Sequence, residues 1–217
     1  MISEDIQAAI EGGKKKALQK ALTDKTLDQA ELDACFLLAA TFAKKPILQE
    51  LQSLGTISQE ALQEALFELV KQGKDNIVEL FIQQLEAPNT VDGSGRTLLS
   101  HAAEVGKKKL ISLLLAHGAE VDLPDSEGNT PLYWSMNSAK ENAVQLLHEQ
   151  GGSLKGKQVH DLLSNMVRLG KDKLFALFVD DIEDVNALDK TGKSLLSYAA
   201  IAGKQKPIDL LLARGAD

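Results

Sequence analysis

The sequence predicts an all-α fold in which short pairs of helices stack side by side as a solenoid. The chain repeats itself, because residues 97–119 and 194–216 align without a gap at an offset of 97 residues, and such self-similarity is typical of repeat architectures. Leucine and alanine carry most of the apolar content, whereas aromatic residues make up only 4%. That balance favours close-packed helices over a β-sandwich, whose strands are rich in aromatic and β-branched residues.

A small residue followed by lysine marks each repeat unit. The markers are spaced 30, 30, 33, 33, 31 and 33 residues apart. Apolar residues follow a marker at helical spacing, as Leu110, Ile111 and Leu114 follow Gly106. Each unit is therefore predicted to hold a first helix, a tight turn at the marker and a second helix, with about seven units in the chain. The markers are Gly13-Lys14, Ala43-Lys44, Gly73-Lys74, Gly106-Lys107, Ala139-Lys140, Gly170-Lys171 and Gly203-Lys204.

Capping residues agree with this register. Side chains that can cap a helix N-terminus stand where first helices should begin, at Thr97, Thr130 and Ser194. Glycines, which readily adopt the left-handed backbone of a helix end, stand where second helices should end: Gly118, Gly151 and Gly215. The helix boundaries are therefore predicted by two independent signals.

Several short segments resemble the ankyrin repeat. They are Thr130-Pro131-Leu132, the Ala-Ala-x-x-Gly of 102–106 and 199–203, the Leu-Leu-Leu-Ala-x-Gly-Ala of 113–119 and 210–216, and the Asp-Val-Asn-Ala of 184–187. The motif is clear in the repeats that start near 89, 121 and 185, and divergent in 1–88 and 154–184. The resemblance implies an ankyrin-type helix-pair solenoid with short β-hairpin fingers in the later repeats. For residues 1–88, an α-solenoid of another type stays open.

We expect residues 1–217 to form one solenoid, with divergent repeats in 1–88 and more regular repeats in 89–217. The sequence stops at Ala216-Asp217, where an ankyrin sequence would run into its next finger. Since a solenoid end needs a polar capping unit, we expect the chain to be truncated at its C-terminus. The divergent early repeats and the glutamine- and lysine-rich surface are similar to those of secreted effectors of intracellular bacteria.

The composition disfavours several classes of protein. The formal net charge of −7 argues against a general nucleic-acid binder, which usually carries a basic excess. One cysteine, Cys35, allows no intrachain disulfide and fits a reducing compartment. No apolar run is long enough to cross a membrane. We therefore expect a cytoplasmic monomer, located in the host cytosol if it is a secreted effector, with nucleic acid and membrane disfavoured as partners.

The motifs of catalysis and metal binding are incomplete. Residues 191–194 read Thr-Gly-Lys-Ser, like the end of a phosphate-binding loop, but Ala187 stands where that loop requires glycine. The four histidines form no pair at metal-ligand spacing, and Cys35 is the only cysteine. For residues 1–217, the sequence therefore predicts no enzyme, no catalytic residue, no metal, no cofactor and no small-molecule substrate.

One register position, five residues before each marker, is predicted to line a groove. The concave face is the usual binding surface of a solenoid, and the resemblance implies that finger tips and first helices form it. This position holds the only tryptophan, Trp134, and one of the two tyrosines, Tyr198, and both residue types are frequent interface hot spots. The groove ladder consists of Glu68, His101, Trp134, Asn165 and Tyr198.

We predict that Trp134 is the central anchor of a protein-binding groove, flanked by His101 and Tyr198. The alternative is that Trp134 packs against a neighbouring repeat as part of the core. Neighbouring positions on the fingers and first helices complete the predicted groove: Arg96, Glu104, Val105, Asn129, Tyr133, Arg168, Lys193 and Ile201.

The marker lysines are expected to form a basic ridge. The interpretation we favour is a solvated row of turns, in which each lysine complements the dipole at the end of a first helix. The alternative is a contact for acidic protein, lipid or RNA. The basic ridge consists of Lys74, Lys107, Lys108, Lys140, Lys171 and Lys204.

The resemblance also implies a modification site. Finger asparagines of ankyrin repeats can be substrates of an asparaginyl hydroxylase, and Asn186 is the candidate. Phe178 stands eight residues earlier, where leucine is usual, so the segment departs from the pattern.

Three functions follow from these observations. The leading hypothesis is a protein–protein interaction module that binds a partner through its concave groove. The second is the substrate-targeting arm of a longer bacterial effector enzyme. The third is a lipid or RNA scaffold that uses the basic ridge.

Overall fold

A computed structural model describes residues 2–23, 25–154, 159–182 and 184–217. Within these residues it contains fourteen α-helices that follow one another as consecutive pairs. The first helices of the pairs are α1 (Glu4–Glu11), α3 (Gln29–Thr41), α5 (Gln59–Lys71), α7 (Leu98–Val105), α9 (Pro131–Asn137), α11 (Val159–Arg168) and α13 (Leu195–Ile201). The second helices are α2 (Lys15–Ala21), α4 (Lys45–Leu54), α6 (Asp75–Phe81), α8 (Lys108–Ala116), α10 (Glu141–Glu149), α12 (Asp172–Phe178) and α14 (Gln205–Ala213).

The helices form two layers. First helices pack on first helices, in succession from α1 through α3, α5 and α7 to α9, and again between α11 and α13. Second helices form the other layer, with α2 against α4, α8 between α6 and α10, and α12 against α14. Short 3-10 helices extend α6 and α12, at Ile82–Gln84 and Val179–Asp181. This arrangement confirms the predicted all-α helix-pair solenoid.

The small residue of each marker is explained by the backbone of the turn. Gly106, Ala139 and Gly203 have φ angles of 81°, 52° and 62°, and the left-handed region costs a residue with a side chain about 1–2 kcal/mol. The following lysine N–H bonds a carbonyl five residues back, as Lys140 does to Ser135 at 2.9 Å. This pattern closes the end of the first helix and satisfies carbonyls that the helix leaves free.

Crowding by the next unit is a second reason for glycine in these turns. A Cβ added at Gly106 would lie 2.7 Å from side-chain carbons of Lys140, and one at Gly73 would lie 3.1 Å from Cε of Lys107. The lysine of each of these units therefore packs its aliphatic stem over the turn of the unit before it. The recurrence of lysine at the marker thus has a packing reason.

The core lies between the two layers. The residues that follow the marker at helical spacing are buried, as Leu110, Ile111 and Leu114 show. Small residues such as Ala102 and Ala103 are also fully buried, which lets neighbouring first helices approach closely. The core therefore uses both residue types that the repeat pattern predicted for it.

Cys35 lies inside this core. Its side chain is buried, and burial raises the pKa of the thiol to about 11, with the nearby charge of Glu31 acting in the same direction. The thiolate is the reactive form of cysteine, so this residue packs as a small apolar group.

The predicted caps are confirmed. The side chains of Thr97, Thr130 and Ser194 accept hydrogen bonds from the backbone N–H groups three residues later, at the starts of α7, α9 and α13. The predicted glycines stand after second helices with positive φ: Gly118, Gly151 and Gly215.

The β-hairpin fingers are not confirmed. In the part of the chain that the structure describes, the only β-pairing is an isolated antiparallel bridge between Val91 and Thr97. The loops instead close on an aspartate. Asp92 Oδ1 accepts the N–H groups of Ser94 and Arg96 at 2.9 and 3.1 Å, so a side chain takes the donors that a strand ladder would use.

None of the helices in the described ranges is long and apolar enough to cross a membrane.

Candidate functional site

A carboxylate in each of three loops bonds a side chain of the groove ladder nine residues later. The loops, called finger loops here, are residues 92–96, 125–129 and 189–193. His101 Nε2 lies 2.8 Å from Asp92 Oδ2, and the indole N–H of Trp134 donates to Asp125 Oδ2 at 3.0 Å. The hydroxyl of Tyr198 donates to Asp189 Oδ2 in the same way. These three contacts are the finger–ladder bonds.

The other carboxylate oxygen of each aspartate holds its own loop. Asp125 Oδ1 accepts the N–H groups of Glu127 and Asn129, both at 2.9 Å, and Asp189 Oδ1 accepts the N–H groups of Thr191 and Lys193 at 2.7 and 3.1 Å. Each finger aspartate therefore joins the shape of a loop to the orientation of a groove side chain.

These hydrogen bonds stabilise the ionised carboxylates. The pKa of Asp189 lies well below its usual value, because Tyr198 and the N–H groups of the loop donate to it. Burial raises the pKa of Asp92, but donors from Ser94, His101 and the loop backbone outweigh that effect and also bring it well below its usual value. Asp92 and Asp189 are therefore anionic at neutral pH.

Trp134 is half-buried and held on several sides. The guanidinium carbon of Arg96 lies 3.6 Å from the centre of the indole ring, and the ring of Tyr133 meets it edge-on at 5.6 Å. Arg96 is itself fixed, since its Nη2 donates to Glu104 at 2.6 Å. The indole is therefore ordered before any partner arrives, with part of its surface exposed.

His101 is buried, with 6% of its surface exposed. Its ring lies between Asp92 and Phe67, whose ring centre is 5.7 Å away in an edge-to-face arrangement. Burial lowers the pKa of His101, assisted by the charges of Arg96 and Lys71, although the bond to Asp92 acts in the opposite direction. Its side chain offers little area to a partner.

Two other predicted groove residues are also buried. Asn129 is 2% exposed, and its amide points at Asp125 and Glu127. Tyr133 is buried beside Trp134. Asn129 therefore supports the finger loop, and Tyr133 supports the indole.

The remaining predicted groove residues have accessible surface. Glu68, Glu104, Val105 and Tyr198 are half-buried, and Lys193 Nζ lies 5.6 Å from the centre of the Tyr198 ring. On the packed pair of helices α11 and α13, the predicted groove residues Asn165, Arg168 and Ile201 are all exposed.

A pocket of about 380 Å³ lies between α5 and the next finger loop. The sequence predicted Glu68 in this region but missed the pocket. A signal was present, because Gln63, Glu64 and Phe67 share a helix face with Glu68. The Phe67 pocket is lined by Gln63, Glu64, Phe67, Glu68, Lys71, Val91, Asp92 and Gly93.

Several lysines at the turns bond carboxylates of the preceding unit. Lys107 lies 3.4 Å from Asp75, and Lys171 lies 2.9 Å from Glu141. Of the other members of the basic ridge, Lys74, Lys108 and Lys140 are exposed and Lys204 is half-buried. Part of the positive charge of the ridge is therefore balanced within the chain.

Asn186 joins its loop to the end of the next second helix. Its Oδ1 accepts the N–H of Asp217 at 3.1 Å, and its amide lies 3.5 Å from the carbonyl of Gly215. Asn89 and Asp122 make the matching bonds to the N–H groups of Glu120 and Ser153. Sequence reasoning missed these two, although each stands three residues before a finger aspartate, as Asn186 does.

The segment that mimics a phosphate-binding loop is a finger loop. Thr191 donates both its N–H and its hydroxyl to Asp189 Oδ1 at 2.7 Å. This geometry serves the loop itself. In the described residues, no group of three or more His, Cys, Asp and Glu side chains could hold a metal ion.

Comparison with known proteins agrees with this geometry. The family described as ankyrin repeats (3 copies) matches residues 66–158. A putative ankyrin repeat protein of fowlpox virus (strain NVSL) is 34% identical over 122 residues, which cover 56% of this chain and 86% of the viral protein. The chain belongs to the ankyrin-repeat family.

More distant relatives are much longer proteins. The neurogenic locus notch homolog protein 1 of Homo sapiens is 26% identical over 144 residues, and that of Xenopus tropicalis is 27% identical over 146 residues. Each match covers 65% of this chain and 6% of the notch protein. The chain therefore spans a small part of these relatives.

Proposed function

We propose that this chain is a protein–protein interaction module that binds a partner protein across its first helices and finger loops. Ankyrin repeats generally act in this way. The observation that carries the proposal is Trp134, a large aromatic side chain held by Arg96, Asp125 and Tyr133 with part of its surface free. A side chain that is ordered before binding loses little conformational entropy on binding.

The contact surface divides into anchors and supports. Trp134 and Tyr198 are the aromatic anchors, and Ile201, which is 71% exposed, adds apolar area beyond them. His101 and Asn129 support the surface from within. Burial thus narrows the set of side chains that a partner would touch.

The test compares surface variants that differ in location. Ile201 on α13 and Leu212 on α14 are exposed aliphatic side chains of the same helix pair. Their exposed fractions are 71% and 52%. In affinity capture from eukaryotic lysate, Ile201→Asp should lose bound protein by about tenfold or more, as expected for a residue at a binding hot spot. Leu212→Asp should bind as the wild type does.

Trp134→Ala belongs in the same experiment, with Gln145→Ala on α10 as its control. Trp134→Ala should lose the partner and melt at a lower temperature, since it gives up the hydrogen bond to Asp125, the stacking of Arg96 and the ring contact with Tyr133. Equal capture by all four variants, or a loss confined to Leu212→Asp, contradicts groove binding. Unfolding of Trp134→Ala together with normal capture by Ile201→Asp shows that Trp134 is a core residue.

The other functions predicted from the sequence have less support. Two lysines of the basic ridge are engaged with carboxylates, which weakens the case for a lipid or RNA scaffold. It stays a prediction that residues 1–217 form a single solenoid domain. The role as the targeting arm of a longer effector enzyme also stays a prediction, as does a cytoplasmic monomer without catalytic activity. Hydroxylation of Asn186 also stays a prediction, and intact mass measurement after expression with the hydroxylase would test it.

A further inference from the structure

The Phe67 pocket is open and large enough for one long side chain. One wall is α5, and the other is formed by Asp92 and Gly93 of the next finger loop and by Val91 just before it. A Cβ added at Gly93 would meet nothing within 4 Å, so the approach past this loop is free. A volume of about 380 Å³ falls within the range of roughly 300–1,000 Å³ typical of ligand pockets.

Acceptor groups dominate the lining of the pocket. Glu64 is exposed, Glu68 is half-buried, and Asp92 is anionic at neutral pH. Glu68 is already oriented, because Oε1 accepts a hydrogen bond from Gln72 at 2.6 Å. Asp92 adds its negative charge, but its two oxygens already bond its own loop and His101, so Glu64 and Glu68 are the acceptors that a ligand would use. Among the lining residues the three carboxylates face one positive side chain, Lys71, which makes the pocket complementary to a cationic donor.

The next unit shows what fills the equivalent place. Gln63 and Lys71 correspond, 33 residues on, to Arg96 and Glu104. There the guanidinium of Arg96 bonds Glu104 at 2.6 Å and stacks on Trp134 at 3.6 Å. The chain thus places its own arginine between a first helix and the finger loop of the following unit, with a carboxylate and an aromatic ring beside it. In the Phe67 pocket these two groups would come from other positions, because Lys71 stands where Glu104 does and His101 stands where Trp134 does. None of the eight residues that line the Phe67 pocket is an arginine.

We infer that the Phe67 pocket accepts an arginine side chain of the protein that binds the groove. The inference rests on the proposed function, since it names a residue type of that partner. Arginine fits better than lysine because its planar fork can bond two carboxylates at once and can lie against an aromatic ring. Lys71 is exposed, with Nζ 5.7 Å from the centre of the Phe67 ring, so it can move aside at the rim.

The test uses a small probe in place of the partner. N-acetyl-arginine methylamide is titrated into the full chain labelled with ¹⁵N, and the amide shifts of Phe67 and Gly93 are followed by NMR. We expect saturable shifts centred on the pocket, with millimolar affinity, and weaker binding of the lysine analogue. The citrulline analogue, which has the same shape without the charge, should cause no saturable shift.

Matched charge variants make the test specific. Glu64→Gln with Glu68→Gln should weaken arginine binding about threefold or more, as loss of charge-assisted bonds predicts. Glu60→Gln with Glu149→Gln removes the same charge at exposed sites outside the pocket and should leave binding unchanged. Equal binding of citrulline, shifts centred elsewhere, or equal loss in both double variants overturns the inference.

The probe experiment and the capture experiment can fail separately. If the pocket fails these tests while Ile201→Asp still loses its partner, the interaction module stands and the arginine site does not. If the probe binds but no groove variant affects capture, the pocket stands and the proposed function fails.

Discussion

At the scale of single residues, the buried His101 makes the stability of the fold sensitive to acid. Burial lowers its pKa, so the unfolded chain binds a proton more readily than the folded chain, and stability falls as pH drops below the ordinary histidine value near 6.5. The pKa of Asp92 is also lowered, so its contribution is kept until much lower pH. Both groups therefore act in the same direction.

We expect the midpoint of urea unfolding to fall between about pH 7 and pH 5, because in that range the unfolded chain takes up a proton at His101 that the folded chain resists. In His101→Gln, which keeps a donor for Asp92 but does not titrate, this part of the fall should shrink. An unchanged pH dependence in the variant contradicts the role of His101. His148→Gln, at an exposed position on α10, is the control that should keep the dependence of the wild type.

The marker alanines give a second prediction at this scale. Ala139 holds a φ of 52°, so Ala139→Gly should raise the free energy of unfolding by about 1 kcal/mol by removing left-handed strain. Ala202 ends a first helix with a φ of −79°, where glycine has no such advantage. Ala202→Gly should therefore lower stability by about 0.5–1 kcal/mol, and equal effects at the two sites would contradict the argument.

At the scale of elements, each finger loop is coupled to a first helix through one carboxylate. Asp125→Ala removes two loop bonds and the bond to the indole, and should cost about 1–3 kcal/mol. It should also change the emission of Trp134, the only tryptophan. Asp189→Ala likewise removes bonds of its own loop and the bond to the Tyr198 hydroxyl. It should therefore lower the free energy of unfolding by a similar amount. Its tryptophan emission should stay as in the wild type, and a shift there would contradict local coupling.

The elements also show what the sequence could predict and why. The turns and caps were predictable, since a left-handed Gly106 or a capping Thr97 meets a local backbone need. The β-hairpins were expected from the family resemblance and are not confirmed, because the carboxylate of Asp92 bonds the N–H groups of its own loop. The spacing of the repeats does not reveal this use of a side chain.

The candidate groove was predictable in register but not in exposure. The spacing placed His101 and Trp134 on one face, whereas their burial depends on Phe67 and Arg96, which come from neighbouring units. The Phe67 pocket was missed for the same reason, since helix α5 and a finger loop of the next unit form it together.

At the scale of the whole molecule, stability should be a sum of units and of contacts between neighbours, as in other solenoids. The turns offer a direct test, because some glycines are crowded by the next unit and others are not. A Cβ at Gly106 would lie 2.7 Å from Lys140, whereas one at Gly203 would meet nothing within 4 Å. Both residues have left-handed φ angles, so alanine should strain the backbone at either site. Only at Gly106 would its Cβ also crowd the next unit.

Gly106→Ala should therefore cost more stability than Gly203→Ala, because it disturbs the contact between two units as well as one turn. Hydrogen exchange followed by mass spectrometry should show faster exchange in α7 through α10, with α1 through α4 close to the wild type. The cause is that the main helix contacts of the described residues join adjacent units, so a weakened joint lets its neighbours open without the rest. Faster exchange of equal size along the whole chain would show a single cooperative unit instead.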